Sequence, residues 1–291
     1  MPRRKERNRK KKGRMNILLV AKQNPTGIKA AKAVYKRLHE FADVHLDLTT
    51  SLRLRRPRGT ALKKFNGDVI ITLGGDGTFL WAAYQAKVPI LPVRIEGHGF
   101  LCTIDYKDFL KEMEKIRRRD YFIEKRMRLK CTAVREKLLR KIFGKPYPLS
   151  LNEIAFARKR PSKVLNLSFK IDDTVFDLTG DGAVFSTPSG SSAYAASAGG
   201  PIIDPSLEAI TVVPLYPFHS HIKPIIMPAD KKIEVEIVGG DCALIIDGHG
   251  GEYVKRGAKF FVERGDSVKI VHLKEHRFYH KYKSSFLERK V

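Results

Sequence analysis

With 291 residues the chain is long enough for one large domain or two ordinary ones, and its 43% hydrophobic content is that of a folded globular protein. No run approaches the roughly 20 apolar residues of a membrane-spanning helix, and the charged N-terminus lacks the apolar segment of a secretion signal. Three widely spaced cysteines, Cys102, Cys131 and Cys242, form no CxxC pair; this argues against a zinc site or disulfide framework and for a reduced, cytoplasmic setting. The net charge is +25, of which residues 1–14 supply +8, nine Lys/Arg against Glu6, leaving +17 on the body. Such a body attracts polyanions such as nucleotides, polyphosphate or RNA, or is simply a solvated basic surface. The tail itself is expected to be disordered.

After the tail, Ile17, Leu18, Leu19 and Val20 form a buried-strand pattern. Ala31, Val34, Leu38 and Phe41 follow at helical spacing, behind the breakers Asn24, Pro25 and Gly27. Residues 44–48 read as a second strand. Val69, Ile70, Ile71, Thr72 and Leu73 are apolar on both faces, as a central parallel strand should be. Residues 88–93 read as another strand, and Phe109, Met113 and Ile116 mark an amphipathic helix over about 105–119. This alternation predicts a three-layer α/β domain over residues 15–120.

Beyond residue 120 the period changes. Leu165, Leu167, Phe169 and Ile171 alternate with polar residues, as do Ile233, Val235 and Ile237, and residues 268–273 continue the style. Period two between Gly, Asp and Pro turns predicts a mostly antiparallel β domain over 121–279. Residues 280–291, with Phe286 and Leu287, are expected to return to the first domain. No internal repeat is present.

The chemistry concentrates in two places. Gly74-Gly75-Asp76-Gly77-Thr78 follows the apolar strand directly and precedes a helix-forming segment. Loops at the carboxyl ends of parallel strands bind ligands; glycines admit a polyphosphate, and the N–H groups of the following helix favour its charge. A carboxylate beside phosphates is costly, so the presence of Asp76 points to chemistry, either accepting a proton from an attacking hydroxyl or holding Mg²⁺. The same residues also read as a tight turn in which Asp76 caps the helix. The loop lacks the Lys of a Walker motif and the spacing of GxGxxG. The second place begins with Asn152-Glu153 and continues with Gly180-Asp181-Gly182 and the run from Thr187 to Tyr194. That run packs four hydroxyls before an aromatic ring, as a polar pocket for a sugar or amide would, or as a plain turn would.

These blocks, in this order, are similar to the NAD kinase family. Glu96-Gly97-His98-Gly99-Phe100-Leu101 resembles that family's glycine-rich Gly-Phe-Leu segment, and Lys223-Pro224 its Arg-Pro segment. The resemblance runs from about residue 15 to 275. It implies an α/β domain with a β-rich domain, and transfer of a phosphoryl group from ATP or polyphosphate to the 2′-hydroxyl of the adenosine ribose of NAD. Asp76 would be the general base, with Gly74, Gly75, Gly77 and Thr78 holding phosphates. Phe100 would line the NAD site. Asn152 and Glu153 would bind adenosine groups. Asp181, Ser189, Ser192, Ala193 and Tyr194 would surround the nicotinamide nucleoside, with Ser197 near the adenine. Mg²⁺ or another divalent cation would be bound through phosphates, not by direct protein ligands, and the assembly would be a homodimer or homotetramer.

Three features depart from the family pattern. Ser192 stands where Thr is usual and keeps the hydroxyl. Lys223 stands for Arg and loses bidentate geometry. Phe218-His219-Ser220-His221 is unusual; His219, His221 and His249 read as phosphate contacts or as packed and solvated histidines. A lipid kinase of the diacylglycerol or sphingosine type shares the glycine loop but leaves residues 187–194 unexplained. A phosphofructokinase-type sugar kinase is weaker for the same reason. A polyanion-binding protein, with nucleic acid held through the basic tail, is the reading of a different class.

Overall fold

The computed structural model describes residues 6–7, 13–56, 58–97, 99–134, 147–218, 221–275 and 278–288. The chain divides into two compact units, residues 1–125 with 268–291, and residues 126–267.

The first unit is α/β. Five parallel strands lie in the order Ile90–Arg94, Val69–Gly74, Met15–Ala21, Ala42–Asp47, Gly59–Thr60. Val69–Gly74 is buried at every position, which is why its sequence shows no alternation. The helix Pro25–His39 is capped by Asn24, whose side chain accepts the Gly27 N–H at 2.9 Å, with Pro25 at its first turn. It buries Ala31, Val34 and Leu38, while Phe41 lies past its end. The helix Tyr106–Arg117 buries Phe109, Met113 and Ile116. Arg119 pairs with Asp68 at 2.9 Å, both side chains nearly enclosed. Within the basic N-terminal stretch, Glu6–Arg7 form a short strand antiparallel to Phe122 and Ile123. Arg14 reaches Asp43 at 3.0 Å and the carbonyls of His39 and Ala42. Residues 1–5 and 8–12 lie outside the described residues.

The second unit is antiparallel β. One sheet runs Ile225–Pro228, Ala209–Leu215, Gly182–Ser186, Glu153–Arg158, Cys242–Ile246, His249–Val254. Leu165–Ile171 pairs on its two sides with Thr174–Gly180 and Ile233–Gly239, and the latter pairs with the first part of Lys259–His272. The period-two residues Leu165, Leu167 and Phe169 and Ile233, Val235 and Ile237 all face one core. There Phe185 meets Phe156 and Phe169 edge to face, with ring centres 5.9 and 6.2 Å apart. Cys102, Cys131 and Cys242 are buried and unbridged. Among the described residues no helix is long and apolar enough to cross a membrane.

Candidate active site

The glycine loop ends the central strand and opens the helix Asp76–Gln85, so its amides lie at a helix start. The N–H groups of Thr78 and Phe79 turn back to the Gly75 carbonyl; those of Asp76 and Gly77 have no acceptor within the helix by position. A Cβ on Gly77 would meet nothing within 4 Å, so the loop is open to an approaching phosphate there. At Gly74 a Cβ would lie 2.2 Å from Thr78 Oγ1, which brings that hydroxyl against the strand end.

Asp76 does not simply cap its own helix. Its carboxylate accepts the N–H groups of Phe100 at 2.8 Å, Leu101 at 2.8 Å and Cys102 at 3.2 Å. The Cys102 thiol also bonds to Asp76; burial, then the Asp76 charge, pushes that thiol up to about 12, so it remains a protonated donor. The loop and the Gly-Phe-Leu segment, separate in sequence, therefore meet at one carboxylate. Phe100, expected to line the NAD site, packs its ring edge-on against Phe278 and Phe286.

Around the same strand ends, Glu96 accepts from Lys22 Nζ and Asn24 Nδ2, each at 2.6 Å, and these bonds hold its carboxyl below the usual range. Arg94 grips Asp105 with two nitrogens, which likewise lowers the Asp105 carboxyl. The backbone joins these groups to the loop, since Lys22 N–H donates to Leu73 and Ile95 N–H to Gly74.

In the second unit Asn152 and Glu153 are 8% and 5% exposed. Asn152 Oδ1 and Glu153 Oε2 are buried and have no hydrogen-bond partner. Orphaned buried oxygens are costly, and their survival here points to a ligand that supplies the donors. Burial first, and the Asp247 charge second, push the Glu153 carboxyl up to about 7, against a backbone hydrogen bond from Tyr194. Asp247 was not singled out by the sequence. Its carboxylate accepts Ser150 Oγ–H at 2.6 Å and the N–H groups of Asn152, Leu151 and Glu153 at 2.7, 2.8 and 3.1 Å. Its own backbone sits at φ 49° and donates to the Glu153 carbonyl.

The hydroxyl run is sorted by the fold. Thr187 donates to the Leu151 carbonyl at 2.5 Å and accepts from Gly190 N–H; Ser191 donates to Pro188 and accepts from Ile203 N–H. These two hydroxyls build the loop. Ser192 makes a long bond to Ser189 at 3.4 Å, and Ser189 is buried beside it. Thr187 N–H bonds to the Asn152 carbonyl, and a Cβ on Gly190 would lie 2.1 Å from that same oxygen, so the loop is pressed against the Asn-Glu segment. Tyr194 is half-exposed; desolvation, then Asp181, Glu153 and Tyr216, raise its hydroxyl, which places those groups together. Asp181 is also paired with Arg158 at 3.0 Å, a partner that no local pattern in the sequence marks. Ala193 donates to Gly190, and Ser197 is exposed. His221, Lys223 and His249 are exposed; His219 lies outside the described residues.

A family model, the ATP-NAD kinase N-terminal domain, matches residues 14–121, and the ATP-NAD kinase C-terminal domain matches residues 151–273. An NAD kinase of Methanothermobacter thermautotrophicus is 32% identical over 252 residues, 84% of this chain and 85% of the relative. Among solved structures, an NAD kinase from Archaeoglobus fulgidus in complex with ATP is 25% identical, with a TM-score of 0.72 over 93% of this chain and 98% of that one. Yeast NADH kinase complexed with NADH shares the fold, with a TM-score of 0.83 and 22% identity over 94% of this chain and 87% of that one. With both halves matched and a relative of this identity spanning most of its length, the chain belongs to the NAD kinase family.

Proposed function

We propose that the chain transfers the terminal phosphoryl group of ATP to the 2′-hydroxyl of the adenosine ribose of NAD. The observation that carries the acceptor half is the pair of buried, unpartnered oxygens on Asn152 and Glu153, beside a loop whose structural hydroxyls are already spent. The acceptor is held by these two residues with Asp181, Ser189, Ser192, Ala193, Tyr194 and Ser197. The donor half rests on the open glycine loop at a helix start, where Gly74, Gly75, Gly77 and Thr78 receive phosphate oxygens. The ATP in the Archaeoglobus relative supports this choice of donor.

In the reaction the ribose 2′-oxygen attacks the terminal phosphorus, the bond to the ADP oxygen breaks, and the 2′-hydroxyl proton passes to the Asp76 carboxylate. The protein's contribution is position and fixed charge. The Asp76 carboxylate is already held by three amides, and a divalent cation such as Mg²⁺, carried in on the donor's phosphates, would neutralise their charge beside it. A homodimer or homotetramer working in the cytoplasm completes the proposal. Purified protein with Mg²⁺, NAD and either ATP or inorganic polyphosphate tests it. NADP formed with ATP supports the reading, NADP formed with polyphosphate alone changes the donor, and NADP from neither donor removes it.

A further inference from the structure

The C-terminal segment plays no part in the chemistry described above, yet it touches the loop that holds the candidate base. The helix Phe278–Tyr282 and the π-turn Lys283–Leu287 form an aromatic ladder in which Phe278, Tyr282 and Phe286 follow one another at ring distances of 6.5 and 5.3 Å. Two rungs close on Phe100, Phe278 at 5.9 Å and Phe286 at 5.2 Å, both edge to face. From the same helix Lys281 donates to the Cys102 carbonyl, and its ammonium stands 5.7 Å from the centre of the Phe100 ring. Both ends of the 100–102 segment are thus gripped from the C-terminus. Its three amides are the ones that bind Asp76.

We propose that residues 278–287 are a strap that positions Asp76, with Lys281 and Phe286 holding the 100–102 segment in the conformation whose amides aim the carboxylate. The inference rests on the reading of Asp76 as the base. A carboxylate set by three amides of one short loop moves with that loop, and a general base displaced by about 1 Å loses on the order of a hundredfold in rate. Lys281 and Phe286 are therefore positioning residues, acting through the loop and not on substrate.

The test uses the full chain, with Lys281→Met, Lys281→Arg and Phe286→Ala. Two quantities are read: steady-state kinetics with NAD and ATP, and hydrogen exchange of a peptide spanning residues 99–103. We expect Lys281→Met and Phe286→Ala to lose exchange protection in that peptide and to lower kcat about tenfold or more, with the thermal midpoint little changed. Lys281→Arg, which keeps a donor for the Cys102 carbonyl, restores both. Unchanged protection in Lys281→Met and Phe286→Ala overturns the strap, and so does lost protection with kcat within twofold of the parent. If the parent chain makes no NADP, the proposed function fails while the exchange measurement still reports on the strap.

Discussion

Glu153 offers a quantitative test of how the acceptor half is built. Its carboxyl is 5% exposed and is pushed up to about 7 by burial and by Asp247. In the unfolded chain the same group ionises near the ordinary 4.5. Between these values the folded state holds a proton that the unfolded state has released. The stability tied to this group is therefore complete below about 4.5 and is lost as pH rises through about 7. At 1.36 kcal/mol per pH unit the full loss is about 3 kcal/mol. Glu153→Gln keeps the shape and cannot ionise, so it escapes the penalty. Urea denaturation of parent and variant should show the stability difference, variant minus parent, growing by about 2 kcal/mol between pH 5 and pH 8. A difference that stays flat across that range would refute the claim that burial, with Oε2 unpartnered, raises this carboxyl. The same variant should raise KM for NAD, since an amide cannot accept from donors as a carboxylate does.

Three further outcomes follow from the geometry. Gly190→Ala drives a Cβ to 2.1 Å from the Asn152 carbonyl oxygen; thermal denaturation should register a loss of about 1–3 kcal/mol, with a higher KM for NAD. Asp247→Ala strips four donors of their acceptor; denaturant titration should show a cost of about 3 kcal/mol or more, and kinetics a weakened NAD site. In Asp247→Asn the charge that helps raise the Glu153 carboxyl is gone, so the pH midpoint of kcat/KM for NAD assigned to Glu153 should move to lower pH.

Much of this was legible in the residues. The all-apolar strand ending in Gly74, the helical spacing of Val34 and Leu38, and the period-two run from Leu165 to Ile171 each state their environment locally. The motif blocks supplied the candidate residues, because their order is a property of the chain. What stayed hidden depends on distant pairing. Asp247 lies 94–97 residues from the groups it holds, and Asp181 finds Arg158 only because neighbouring strands bring them level. The hydroxyls from Thr187 to Ser192 look alike in sequence; only the paths of the Leu151, Pro188 and Ile203 backbones show that Thr187 and Ser191 serve the loop itself. Lys281 reaches Cys102 across 179 positions, a contact no local pattern announces.

The central claim is that Asp76 takes the proton from the 2′-hydroxyl of NAD. Single-turnover formation of NADP by the parent chain and by Asp76→Asn, with Mg²⁺, ATP and saturating NAD, tests it most directly. If Asp76 is the base, the parent makes NADP, and the variant folds and binds NAD yet slows by about 10²–10⁴-fold, the range a general base supplies. A variant that makes NADP at close to the parent's rate would contradict it.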